Sequence, residues 1–201
     1  MCRLDRTFAE RRWSADNEWA YQPSRIRVKT ESGGPLPGVL YQYLSSDHNR
    51  LDRLLEQAAA RPGTIDMESY SEFRKGLFRH ISIEEKIVFP SIHRRRGDES
   101  RQLIDRLHLD HAAIVSLMVP PPNASIILTL KSIFAVHNPL EEDEGGLYDI
   151  FESSVGTESE AILEKMTAAP AVAVLPHNPK PELLVFAKEA LRRAGHEFKE
   201  A

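Results

Sequence analysis

Three features are scarce in this sequence, and each scarcity excludes a class of protein. The 201 residues include one cysteine, Cys2, so neither an internal disulfide nor a thiolate site for zinc or an iron–sulfur cluster can form. Apolar residues never run together over about 18 positions, the length that a membrane-spanning helix needs. Basic residues are not in excess, because 26 Lys and Arg face 30 Asp and Glu, for a net charge of -4. Binding to nucleic acid or to an anionic membrane is therefore not expected.

The chain is expected to have three parts. Residues 1–37 are polar, contain Trp13 and Trp19 and end in the breaker-rich stretch ESGGPLPG, which is typical of an arm without its own fold. Residues 38–155 are expected to form the folded domain, and residues 156–201 a C-terminal helical extension with a last helix near 181–194. This extension could cover the domain or a neighbouring subunit. The charged start of the chain has no apolar core of the signal-peptide type, which favours a cytoplasmic location.

Four segments of the domain carry apolar residues at steps of three or four, the spacing of amphipathic helices. The predicted helices cover about 38–60, 68–95, 99–119 and 123–143, and Pro or Gly with a capping Ser, Asp or Asn occurs in each loop between them. Helices joined by such short loops favour an all-α fold, an up-and-down antiparallel four-helix bundle.

Each of the four apolar stripes contains a histidine, and two of them also contain a glutamate four residues later. These residues are His48, His80, Glu84, His111, His137 and Glu141. In antiparallel hairpins, positions equally distant from the loop lie at the same height, which brings the four histidines to one level. A histidine and a glutamate four residues apart project from one side of a helix, so both can reach one cation or two adjacent ones.

The polar residues also form an internal repeat. DHNRLDRLL from Asp47 is similar to DHAAIVSLM from Asp110, and HISIEE from His80 is similar to HNPLEE from His137. The first helical hairpin and the second therefore carry the same polar set. A duplicated set of this kind favours a pseudo-twofold site with two halves, as a two-metal centre requires.

Several assignments stay open at this level. In HNPLEEDEGG, Glu142 or Glu144 could replace Glu141 as the carboxylate, and Pro139 is expected to bend the fourth helix. His108 could add a ligand or face a neighbouring helix. His93, His177 and His196 are expected to be solvated and Glu85 to lie outside the bundle. A metal-free bundle with histidines as buried polar groups is the structural alternative, but a buried, unpaired glutamate would stay protonated or destabilise the fold.

These motifs resemble those of the hemerythrin-like, or HHE cation-binding, family of four-helix di-iron proteins. The resemblance covers about residues 38–152 and rests on His48, HISIEEKIVFP, LHLDHAAI and HNPLEE. It implies two iron ions in an oxo- and carboxylate-bridged pair, with Glu84 and Glu141 as the bridges. The implied metal ligands are His48, His80, Glu84, His111, His137 and Glu141. Iron also agrees with a donor set of imidazole and carboxylate without thiolate.

The third helix departs from the pattern of oxygen-carrying members, which have a His-x-x-x-His pair there. The residue four before His111 is Leu107, and the additional histidine is His108. If His108 binds, five histidines and two carboxylates are available. If it does not, one iron has an additional open position, which favours reactivity over reversible oxygen carriage.

The resemblance implies a protein that binds or reduces a small oxidant, namely O2, NO or peroxide. As an enzyme it would be a di-iron oxidoreductase with an external electron donor, since the sequence contains no flavin or nicotinamide motif. The non-catalytic alternative is an oxygen, redox or iron sensor, or an iron-handling module, whose metal state changes the packing of the N-terminal arm or of the C-terminal helix.

Overall fold

The computed structural model describes residues 37–201, and every regular element in this range is helical. The helices are α1 Val39–Ala58, α2 Met67–Ile83, a π-helical segment Glu84–Val88, α3 Phe89–Arg96, α4 Arg101–Leu117, α5 Ala124–Glu142, α6 Leu147–Val155, α7 Ser159–Thr167 and α8 Pro181–Arg193. The prediction of an all-helical fold is confirmed for this range. The predicted arm with its two tryptophans lies outside the described residues, apart from Pro37.

The four predicted bundle helices correspond to α1, to α2 with the π-helical segment and α3, to α4 and to α5. Helix α6 was not predicted. Its stripe of Leu147, Phe151 and Val155 has helical spacing, but nine residues make fewer than three turns, which is too short a segment for a reliable helix prediction. Helix α5 continues through Pro139, so this proline does not end the fourth helix.

Two close approaches fix the position of α1. At its N-terminus, the carboxylate of Glu152 on α6 accepts hydrogen bonds from the backbone N–H groups of Leu40 and Tyr41 at 2.8 and 3.0 Å, which caps the helix. A side chain at Gly38 would collide with Glu152, so glycine allows this contact. Helix α1 is thereby tied to α6, the helix that the sequence did not reveal.

The core consists of two apolar clusters, with the histidine level between them. The first cluster includes Leu51, Leu77, Ile114 and Ile133, and the second includes Leu44, Ile83, Leu107 and Leu147. Along α1 and α4 the chain passes from the second cluster to the first, whereas along α2 it passes from the first to the second. Each of these helices carries its predicted histidine at the transition.

The C-terminal extension packs on the domain itself. Helix α8 lies against α4, and it contributes Ala187 and Leu191 to the first apolar cluster, followed by Ala194. Helix α7 packs against α1. Of the two surfaces that the sequence left open for this extension, the domain itself and a neighbouring subunit, the structure shows it on the domain. Among the helices of residues 37–201, none combines the length and apolar character needed to cross a bilayer.

Candidate metal centre

Six buried side chains converge between the two apolar clusters. The first group consists of His48, His80 and Glu84, and the second group of His111, His137 and Glu141. Within each group, one nitrogen or carboxylate oxygen of every residue lies within 4.8 Å of the others. None of the six is more than 6% exposed. The structure therefore brings together six of the seven residues predicted as ligands, and their binding of a metal stays a prediction.

The two glutamates face both groups. Oε1 of Glu84 lies 3.2 Å from Nε2 of His80, and Oε2 lies 3.3 Å from Nε2 of His111. Oε2 of Glu141 lies 3.4 Å from Nε2 of His48 and from Nε2 of His137, and Oε1 lies 3.9 Å from Nε2 of His111. Carboxylates placed in this way suit the bridging of two metal ions.

Each histidine of the two groups has a carboxylate at its other ring nitrogen. The Nδ1 contacts are His48 with Glu142 at 2.5 Å, His80 with Asp47 at 3.0 Å, His111 with Glu85 at 2.8 Å and His137 with Asp110 at 3.4 Å. Such outer carboxylates fix the tautomer and orientation of metal-binding histidines. Nε2 of each ring is thereby left for the interior of the site.

These outer carboxylates follow the internal repeat. Asp47 and Asp110 each support a histidine of their own hairpin, whereas Glu85 and Glu142 each support a histidine of the other hairpin. Glu85 belongs to neither interior group, but its side chain is only 30% exposed, and its contact with His111 was not predicted. The π-helical segment begins at Glu84, and such segments are frequent at functional sites.

The structure separates the three acids that the sequence left open in α5 and its loop. Glu141 is buried in the second group, Glu142 faces Nδ1 of His48, and Glu144 is exposed beyond the end of the helix. Glu141 is therefore the carboxylate that the structure places in the interior.

The other histidines lie in different surroundings. His108 belongs to neither group, since its side chain is 44% exposed and its Nδ1 contacts Glu85. His93 is exposed as predicted, and His177 is half-buried against Tyr70. The prediction for His196 is wrong. Its Nε2 lies 2.8 Å from Oδ1 of Asp110, because the segment after α8 folds back onto α4.

Tyr148 is the site residue that the sequence analysis missed. This side chain is fully buried, and its hydroxyl oxygen lies 2.7 Å from Oε1 of Glu84, 3.1 Å from Nε2 of His48 and 3.3 Å from Nε2 of His80. Oε2 of Glu141 is 3.2 Å away. One signal was available in the sequence: a buried tyrosine hydroxyl needs a polar partner, and Tyr148 stands among apolar residues shortly after HNPLEE.

The residues fit a metal ion. Three of the five buried side-chain atoms that lack a hydrogen-bond partner among residues 37–201 belong to this site, namely Oε2 of Glu84, Nε2 of His111 and Oε1 of Glu141. A buried polar atom without a partner destabilises the fold by about 1–3 kcal/mol, and all three atoms would gain a partner from a cation beside the second group. Imidazole and carboxylate donors suit iron, zinc or manganese, depending on how many of each take part.

The comparison with protein families agrees with this geometry. Residues 39–119 match the family model described as the hemerythrin HHE cation binding domain. This segment is hemerythrin-like. The match contains the first group and His111, whereas His137 and Glu141 lie beyond it. Neither a curated protein nor a solved structure matches the chain.

Protons compensate the buried charges of the candidate site when no metal is bound. Burial and the neighbouring charge of Glu84 raise the pKa of Glu141 well above its usual value. Burial lowers the pKa of His111, but Glu84 and Glu85 raise it more, to about 10. Burial lowers the pKa of His137 to about 4. Metal binding would displace the protons of Glu141 and His111, since both residues bind a cation in their deprotonated forms.

Proposed function

We propose that this protein holds two iron ions, one at each group, and binds or reduces a small oxidant, namely O2, NO or peroxide. The observation that carries the proposal is the placement of Glu84 and Glu141, each of which faces histidines of both groups. The three unpartnered buried atoms support it, because a metal-free core would leave them unsatisfied. The hemerythrin-like match supports metal binding independently.

Iron is proposed over zinc because the proposed reduction of an oxidant needs a metal that changes its oxidation state. The bound metal pair would supply electrons to the oxidant, which zinc cannot do. The protein contributes the rest. The outer carboxylates orient the four histidines, the two bridging glutamates compensate charge, and the apolar clusters limit access of water. An external electron donor is needed for turnover.

The space beside the site suits a very small ligand. A cavity of about 20 Å³ is lined by His48, His80 and His137 together with apolar residues of the first cluster, among them Leu51 and Phe134. A volume of roughly 10–15 Å³ by this measure accepts one water molecule. The cavity therefore favours a diatomic molecule or peroxide over an organic substrate.

The finer arrangement of the chain is part of the proposal. We propose an up-and-down antiparallel bundle, and the alternating passage between the two apolar clusters along α1, α2 and α4 supports it. We also propose a cytoplasmic location with no nucleic-acid or membrane partner. The single cysteine and the net charge of -4 support these assignments.

One observation favours a sensor as the second candidate function. His196, in the segment after α8, contacts Asp110, and Asp110 also contacts Nδ1 of His137. A change at the metal could thus alter the packing of the C-terminal segment. In a sensor, oxidant binding would change the protease sensitivity of this segment, without turnover.

The test begins with the protein loaded anaerobically with iron(II). Consumption of peroxide and of NO is then measured with a chemical reductant, beside free iron at the same concentration and beside the His111→Ala variant. Reductive turnover well above that of free iron, lost in His111→Ala, supports the oxidoreductase. Absence of turnover together with an oxidant-dependent change in proteolysis of the C-terminal segment supports the sensor. Absence of iron binding contradicts both.

A further inference from the structure

The two groups of the site differ in one respect that the internal repeat does not explain. The hydroxyl of Tyr148 reaches the first group, where it lies within 3.3 Å of Nε2 of both His48 and His80. At the second group, Nε2 of His111 has no hydrogen-bond partner among the described residues. The histidines and glutamates of the site are related by the internal repeat, but Tyr148 has no counterpart at the second group among the described residues.

A hydroxyl group alone does not satisfy the atoms around it. Four atoms of the site surround the Tyr148 oxygen at 2.7–3.3 Å: Oε1 of Glu84, Oε2 of Glu141 and Nε2 of His48 and His80. The hydroxyl has one proton, and it donates it at the shortest distance, to Glu84. The carboxylates at Nδ1 of both histidines favour Nε2 as a lone-pair donor. The phenol oxygen therefore lies beside four donor atoms of the site, three of which belong to the first candidate metal group, and a cation there would satisfy more of them than one proton does.

The surroundings hold Tyr148 in this position. Its helix begins after Gly145, whose φ of +77° favours glycine and turns the chain back from α5. The ring of Tyr41 packs edge-on against the ring of Tyr148, with 5.9 Å between centroids. Glu152, on the same helix, caps the N-terminus of α1. The phenol is therefore held by the ring of Tyr41 and by a helix that is itself tied to α1, as a preorganised ligand requires.

We propose that Tyr148 is a protein ligand of the metal ion at the first group, through its phenol oxygen. This inference rests on the proposed function, since it requires a metal ion at that group. His48, His80, Glu84, Glu141 and Tyr148 then supply the donors of this ion, which becomes the more crowded of the two. Within residues 37–201, the second group has no tyrosine within reach of its histidines, so a metal ion there would have fewer protein donors.

The test uses the full chain loaded with iron(III), for which absorption and resonance Raman spectra are recorded together with the iron content. A tyrosine bound to iron(III) gives a phenolate-to-iron charge-transfer band in the visible range, with tyrosinate vibrations enhanced by excitation in that band. We expect both in the natural protein. Tyr148→Phe should lose both and keep two irons per chain. Tyr70→Phe is the matched control, because Tyr70 is equally buried but contacts Met118, and it should keep both.

The outcomes separate the two proposals. A natural protein with two irons per chain but without tyrosinate vibrations overturns the tyrosine ligand and leaves the proposed function standing. Tyrosinate vibrations that persist in Tyr148→Phe also overturn it. If Tyr148→Phe does not fold, Phe variants of the other four tyrosines decide instead, namely Tyr21, Tyr41, Tyr43 and Tyr70. Loss of the vibrations in any of the four variants contradicts the assignment to Tyr148, and their retention in all four supports it. Failure to bind iron contradicts the proposed function itself.

Discussion

Oε1 of Glu85 lies 2.8 Å from Nδ1 of His111, so an acid of the first helical hairpin supports a histidine of the second. The same relationship recurs in the opposite direction between Glu142 and His48. In each Glu-Glu pair, the first acid faces the interior and the second crosses to the other hairpin. This arrangement makes the orientation of His48 and His111 depend on correct packing of the two hairpins against each other.

The first prediction concerns this outer carboxylate. Glu85→Gln keeps the size of the side chain but removes the charge that holds Nδ1–H of His111, so the affinity for metal should fall about 10- to 100-fold. Competition with a chelator of known affinity measures the change. Glu99→Gln is the control, because Glu99 is exposed in the turn between α3 and α4, and it should have no effect. Equal affinity in both variants would contradict the supporting role of Glu85.

The second prediction separates the two histidines of α4. His111→Ala removes a donor of the second group, so the protein should bind fewer than two metal ions per chain. His108→Ala should bind as much metal as the natural protein, because His108 lies outside both groups and is 44% exposed. Metal analysis after removal of excess ion measures both. Loss of metal in His108→Ala would instead make His108 a ligand.

The third prediction follows from the protons held in the metal-free site. The pKa of His111 is raised from 6.5 to about 10, and those of His80 and Glu141 are also raised. A raised pKa stabilises the folded state below the pKa of the unfolded chain, and the stabilisation is lost as the pH rises through the folded value. The free energy of unfolding of the metal-free protein should therefore fall between pH 6.5 and about 10.

The metal-loaded protein provides the comparison for this pH dependence. Its ligands are already deprotonated, so the decrease over the same pH range should be absent or much smaller. Urea unfolding at a series of pH values measures both forms. Parallel pH profiles for the two forms would show that metal does not replace these protons.

The fourth prediction concerns the C-terminal helix. Leu191 is fully buried in the first apolar cluster, so Leu191→Ala should lower the free energy of unfolding by about 2–5 kcal/mol. Leu175→Ala is the matched control, because this leucine is 76% exposed, and its effect should stay within about 0.5 kcal/mol. Chemical denaturation of the two variants measures the difference. Similar stabilities would contradict the packing of α8 on the domain.

The sequence predicted the four bundle helices and the six interior side chains because both depend on local patterns. Steps of three or four residues place His80 and Glu84 on one helix face, and the repeat relates them to His137 and Glu141. Loop positions then predicted a common level for the histidines. These inferences need no knowledge of how distant segments pack.

The remaining features depend on contacts between distant segments. Tyr148 enters the site because the chain turns back at Gly145 and α6 packs against α1, which no periodicity indicates. His196 was expected in solvent, yet it contacts Asp110 because the segment after α8 returns to α4. Glu85 was expected outside the bundle, and its contact with His111 of the other hairpin was not predicted. Each of these positions depends on tertiary packing.

The central claim is that two metal ions lie side by side, bridged by Glu84 and Glu141. X-ray absorption of the iron-loaded protein, combined with the iron content per chain, tests it most directly. The account predicts two irons per chain and scattering between metal ions at no more than about 4 Å, the upper end of the usual range for two-metal sites. One iron per chain, or two irons without scattering between them, would contradict it.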